Sequence, residues 1–426
     1  MVKVRHPAMT QIDSQSVRTR RVFYIPGYDP IHPRRYRELY RKEGAAQAAI
    51  SDYEIEIAGR QGAERYGWAV QSTQDGARVS AEVEVLVWSD IVRGSMSSSI
   101  PATYAQLLRT SWTYIASGTL RRLMWLRKGP VIAALYPVGM LLLQLLLAVL
   151  AGWLAARLAW NGLSYFLSLA GLTVDVLAPF VRWPIGLVVA MLVLRWFKGQ
   201  DGRFFAYYLM HDYAYSARRG GANPPELEAR MEAFGEVIAE ALESDADEVL
   251  VVGHSSGAHL AVSILADLIR AGRVPQNGPV LSFLSLGQVV PMVAFLPKAE
   301  RLRTDLQYLS ERDELTWIDV TAPGDGCAFA LCDPVAVTGV ARAGQKWPLV
   351  LSAAFTQTLS PERWAELRWR FFRLHFQYLC AFDRPGDYDY FRITAGPQTL
   401  AERFAGRRPS QSRIDVPASK YTSLAA

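Results

Sequence analysis

Gly253-His254-Ser255-Ser256-Gly257 sets Ser255 at the centre of a pentapeptide that begins and ends in glycine. A serine hydroxyl attacks a carbonyl carbon when a base takes its proton and nearby donors receive the negative charge that forms. The setting of Ser255 suits that chemistry. An apolar run, Glu248 to Val252, precedes the pentapeptide, and Gly257 to Arg270 continues with helical spacing. A strand that turns sharply into a helix leaves the intervening side chain exposed at the sheet edge. Glycine on both sides permits strand and helix to approach closely. The helix N-terminus beneath the site favours developing negative charge.

Other elements must position this turn. Arg21 to Gly27 (RVFYIPG) reads as a buried strand ending in a Pro-Gly turn, and residues 33–50 read as a polar-faced helix. EIEIAG, YGWAVQS and AEVEVLVWSD come next as strands. Further along, a proline-initiated helix over 225–242, strands over 280–286 and 315–320, and a helix over 361–378 are expected. Strands alternating with helices predict an α/β fold, with a mostly parallel sheet covered on both faces.

The chain has 426 residues, half of them hydrophobic, and a net charge of +6. The basic excess lacks the aromatic interleaving or zinc spacing of a nucleic-acid binder. Cys327, Cys332 and Cys380 make no disulfide framework and fit a reducing compartment. The six histidines show no metal-ligand spacing, so neither a metal nor another cofactor is expected. The N-terminal residues carry charge without an apolar core and do not read as a signal peptide.

Pro130 to Ala156 is uncharged and rich in leucine, long enough to span a bilayer core, with the span at about 131–156. A second apolar segment, about 176–197, contains Arg182 near its middle, and residues 158–173 between the two are expected at an interface. The strands on either side of this insert must join one sheet, so the insert crosses an even number of times or not at all. Arg121, Arg122, Arg127, Lys128, Arg195, Lys198 and Arg203 flank the pair, and Arg157 lies between. This bias predicts a two-span hairpin with the globular part on the cytoplasmic side. The organisation expected is therefore a disordered 1–20, an α/β domain in two parts (21–100 and 203–404), a helical membrane insertion over 101–202, and a disordered tail over 405–426.

The strand, the G-x-S-x-G turn and the helix resemble the lipase and esterase branch of the α/β-hydrolase superfamily, over residues 21–100 and 203–395. The resemblance implies an eight-strand-type sheet, a Ser-acid-His order along the chain, and an oxyanion hole of two backbone amides. Ser255 is then the nucleophile. One amide is that of Ser256, and the other comes from the IPGYDP turn, at Tyr28; the HGGG-type turn of many esterases is absent. Only His259 and His375 come after the serine. His259 sits one helical turn on and is expected to face its own helix, which leaves His375 as the base. His254 is expected to be structural. Two acids stand open: Asp325, just after the strand that ends at Val320, and Asp333 in LCDPVAV. Asp319 lies inside the strand and reads as structural. The resemblance and the apolar insert together imply a membrane-attached hydrolase of a carboxylic ester, lipid-like in character, with membrane lipids and the ester as partners and no nucleic acid. An acyltransferase or thioesterase would share the triad, and a non-catalytic module of the same fold is the reading from a different class.

Overall fold

The computed structural model describes residues 17–60, 65–96, 99–172 and 175–425. Eight strands form one sheet: β1 (Thr19–Ile25), β2 (Glu54–Gly59), β3 (Gly67–Gln74), β4 (Ala77–Val85), β5 (Glu248–His254), β6 (Val280–Leu286), β7 (Leu315–Thr321) and β8 (Leu349–Ser352). Their order is β2-β3-β4-β1-β5-β6-β7-β8. β4, β1 and β5 through β8 run parallel. β2, β3 and β4 form an antiparallel meander. The sheet is therefore mixed rather than mostly parallel. The reason is local: Asp75 and Gly76 both take positive φ and close β3 onto β4 as a tight hairpin, with no helix between them.

The period of two along each strand divides its side chains between two cores. Phe23, Val249, Val251, Phe283 and Trp317 face one layer, and Val22, Tyr24, Leu250, Val252 and Leu284 face the other. α1 (Arg34–Ser51) covers the second layer through Tyr36 and Tyr40. Between β4 and β5 the chain forms α2 (Ile100–Ala116), α3 (Lys128–Leu169), α4 (Ala178–Gly199) and α5 (Ala206–Ala217). The first layer is then completed by α6 (Pro225–Leu242), α7 (Ser256–Arg270) and α8 (Glu300–Ser310), through Ile238, Leu265 and Leu306.

Two helices, α3 and α4, are long and apolar enough to cross a membrane. α3 has 42 residues, about 63 Å at 1.5 Å per residue, and so exceeds a bilayer core of about 30 Å. The helix continues through residues 158–169, which the sequence suggested as an interfacial connection. α3 and α4 meet at small residues: a Cβ on Gly152 would lie 2.4 Å from the Gly186 carbonyl oxygen. Arg182 stands in the second turn of α4, not at its middle, because the helix begins only at Ala178. Its guanidinium lies 5.4 Å from the Trp160 ring, one turn beyond Arg157 on α3. The outward faces of both helices expose Leu146, Leu150, Phe180 and Leu187.

The ends differ from expectation. Residues 1–16 lie outside the described residues, but Val17 is buried and residues 19 and 20 belong to β1. Residues 405–425 are not a loose tail. Ile414 N–H donates to the Leu331 carbonyl, Ala418 N–H donates to that of Val337, and Ser410 N–H to that of Val350. Polar composition masked these backbone pairings, which need only small apolar anchors such as Ala418. The helix expected over 361–378 is broken into Pro361–Leu367 and Phe371–His375, followed by a turn over Gln377–Leu379.

Candidate active site

Ser255 stands between β5 and α7 with φ 56° and ψ −119°. A non-glycine residue rarely accepts such a backbone conformation, and it persists only where the surroundings impose it. Here the flanking glycines do so. A Cβ on Gly257 would lie 2.0 Å from the Ile25 carbonyl oxygen, and one on Gly253 would lie 2.7 Å from the Ala258 Cα. Ser255 N–H also donates to the Leu286 carbonyl at 2.9 Å, tying the turn to the end of β6.

The turn after β1 comes to the same place. A Cβ on Gly27 would be 3.0 Å from the Ser255 Cβ and 3.4 Å from its Oγ. Tyr28 is next, and among the described residues its N–H donates no hydrogen bond. Ser256 opens α7, so its N–H has no intrahelical acceptor. Tyr28 and Ser256 share the lining of a cavity of about 20 Å3 with Asp212 and His259.

His375 and Asp325 are brought together across 50 residues. His375 Nδ1 donates to Asp325 Oδ2 at 2.7 Å, with both side chains buried. A carboxylate at Nδ1 holds the proton there and leaves Nε2 bare as an acceptor. Asp325 also accepts from Cys327 N–H at 2.9 Å and from the Tyr378 hydroxyl at 3.0 Å. Burial alone would push this carboxyl up; the charge and hydrogen bond of His375, with the two other donors, bring it below its ordinary value. His254 packs against His375 with ring centroids 4.9 Å apart. Its Nε2 donates to the His375 carbonyl at 3.0 Å, and its Nδ1 accepts from the Tyr24 hydroxyl at 3.3 Å. Burial pushes His254 down to about 3, so the ring is neutral. It acts as a strut between the serine turn and the histidine. Among the described residues, the Ser255 hydroxyl has no hydrogen bond to His375. Such catalytic contacts commonly tighten only with substrate bound.

Asp333 is placed elsewhere. It caps the short helix Pro334–Thr338, accepting from Val335 and Ala336 N–H, and binds Gln345 Nε2 at 2.9 Å. Asp319 is buried in β7 and accepts from the Ser285 hydroxyl at 2.6 Å; burial pushes its carboxyl up to about 8. His259 does not simply face its own helix. It borders the cavity at Tyr28 and Ser256, its Nδ1 has no partner among the described residues, and burial pushes it down to about 4.

Two features were not singled out from the sequence. Asp212, on α5, reaches the cavity from the insert, and burial pushes its carboxyl up to about 7, partly countered by the nearby His375. Nothing in the local pattern HDYAY marks it. Cys327 lies two residues past Asp325, and the potential ligand atoms of Asp325, Cys327 and His375 lie within 4.8 Å of one another.

The insert also touches the site. The Tyr208 hydroxyl donates to the Tyr28 carbonyl, and Phe205 packs on Phe372 with centroids 4.9 Å apart. A Cβ on Gly129, in the first turn of α3, would lie 3.7 Å from the Gly326 Cα in the Asp325 loop. Trp369 and Phe371, just before His375, are 73% and 47% exposed, whereas Trp317, Tyr378, Tyr388 and Tyr390 fill the core. The chain matches no family model, no curated protein and no solved structure.

Proposed function

We propose that this protein is a membrane-attached serine hydrolase of the α/β-hydrolase type that cleaves a carboxylic ester of lipid-like character. The observation that carries the reading is the buried His375–Asp325 pair beside a serine held at positive φ. Ser255 Oγ attacks the ester carbonyl carbon as its proton passes to His375 Nε2. The carbonyl oxygen becomes an oxyanion, received by the amides of Ser256 and Tyr28. Asp325 stabilises the imidazolium, which then protonates the departing alcohol. Water, deprotonated by the same imidazole, releases the acid and restores the serine.

The lipid-like substrate is supported by position. The first turn of α3 lies against the Asp325 loop, Phe371 would meet a Cβ on Gly326 of that loop at 3.2 Å, and exposed Trp369 stands two residues before Phe371 in the chain. Aromatic residues of this kind favour the headgroup level of a bilayer. The α3–α4 pair is read as a hairpin across the membrane, an even number of crossings that the pairing of β1 with β5 in one sheet allows. The basic residues at its base support a cytoplasmic side for the catalytic domain.

A fluorophosphonate probe tests the reading. Labelling of the detergent-solubilised protein that is lost in Ser255→Ala is the expected result. An unlabelled, folded parent would indicate a non-catalytic binding module instead.

A further inference from the structure

The distance between His375 and Asp325 carries more than a triad. Three potential ligand atoms, one each from Asp325, Cys327 and His375, lie within 4.8 Å of one another. They come from a loop and a short helix that pack together; Cys327 is only partly buried, while Asp325 and His375 are buried behind it. A carboxylate, a thiol and an imidazole make the mixed O, S and N donor set that suits zinc. The resting geometry is not that of a resident metal. Two ligands on one tetrahedral zinc, at about 2.0–2.2 Å each, stand about 3.4 Å apart, whereas Nδ1 and Oδ2 are 2.7 Å apart. The pair is a hydrogen bond that a metal would have to open by about 0.7 Å.

We propose that Asp325, Cys327 and His375 form an inhibitory zinc site that switches the enzyme off by capturing its base. The imidazole binds through Nδ1, the atom that faces Asp325. Its proton moves to Nε2, so the ring stays neutral but can no longer accept the proton of Ser255. The thiol of Cys327 binds as thiolate and releases its proton to solvent. Asp325 binds as the carboxylate it already is, and a water from the solvent side completes four ligands. The binding stands on the three side chains alone; the inhibition rests on the hydrolase reading. Because the hydrogen bond must be opened and the thiol deprotonated, the metal is held reversibly rather than permanently.

The test uses the full chain in detergent, with Cys327→Ser, which keeps the Cys327 backbone donor to Asp325. In the parent, added zinc suppresses ester turnover and fluorophosphonate labelling, and EDTA restores both. Measured against its own zinc-free rate, Cys327→Ser needs at least about tenfold more zinc for the same fractional loss. Equal zinc sensitivity of the two proteins would overturn the proposal. A second readout does not depend on activity. Cobalt added to the Ser255→Ala protein should give a thiolate-to-metal charge-transfer band that disappears in Ser255→Ala/Cys327→Ser. An absent band, or one that survives the cysteine change, rejects the site even if the protein hydrolyses nothing.

Discussion

At the scale of single residues, the two candidate acids have different surroundings to test. Asp325 accepts from His375, while both oxygens of Asp333 are engaged by a helix cap and Gln345. Asparagine at 325 selects the wrong imidazole tautomer, and kcat is expected to fall by about 10^3 to 10^4. Asparagine at 333 should leave kcat within a few-fold, and a larger loss at 333 would reverse the assignment. Asp212 makes a pH argument. Its carboxyl is raised from 3.8 to about 7, so it is neutral well below pH 7 and ionised well above it. An anion beside Tyr28 and Ser256 opposes the oxyanion, by up to roughly tenfold in rate. The ratio of Asp212→Asn to parent kcat should therefore climb as pH rises through about 7. A ratio that stays flat across that range removes Asp212 from the site. The serine, its following amide and the two late residues were legible from residue type and order. Asp212 was not, because its meaning depends on how the insert folds back, which no local pattern records.

At the scale of elements, β1 and β5 are joined by more than their ladder. Arg20 on β1 pairs with Glu248 on β5 at 2.6 Å, with both side chains fully buried. Arg20 also donates to the carbonyls of Gly396 and Gln398, and Glu248 accepts from the Ser282 hydroxyl. Removing one partner leaves a buried charge uncompensated, which costs about 3–5 kcal/mol. Glu248→Ala should lower the denaturant midpoint of the α/β domain accordingly, and an unchanged midpoint would show that Arg20 finds another anion. The strands that flank the serine were readable from their apolar runs. β8 was not, with four residues and no alternation. The antiparallel meander was seen as strands but given the wrong sense, because the strands YGWAVQS and AEVEVLVWSD were bounded too short, which left the two-residue Asp75-Gly76 turn hidden in a longer connection. Arg182 looked costly at mid-segment, and the late start of α4 moves it toward the helix end, where a long side chain reaches polar surroundings.

At the scale of the whole molecule, the proposed hairpin is open to a direct experiment. Its tip lies near Leu172, exposed between α3 and α4, and the Asp313 side chain is 84% exposed on the α/β domain. A cysteine at each position, probed on intact cells with a membrane-impermeant thiol reagent, reports the two sides. Labelling at 172 with protection at 313 is the expected pattern. Protection at both until lysis would replace the hairpin by a helix pair that dips into one leaflet. The position of β1 has a consequence for biosynthesis. β1 lies between β4 and β5, yet β5 leaves the ribosome only after both apolar helices have been made. Until then, one edge of β1 stays unpaired and exposed to aggregation. If the second helix fails to return across the bilayer, β5 and the serine turn emerge in the wrong compartment and the sheet never closes. On the proposed topology, insertion of the helix pair would act as a checkpoint in maturation: a mis-threaded chain would lack the assembled serine turn on which the proposed activity depends.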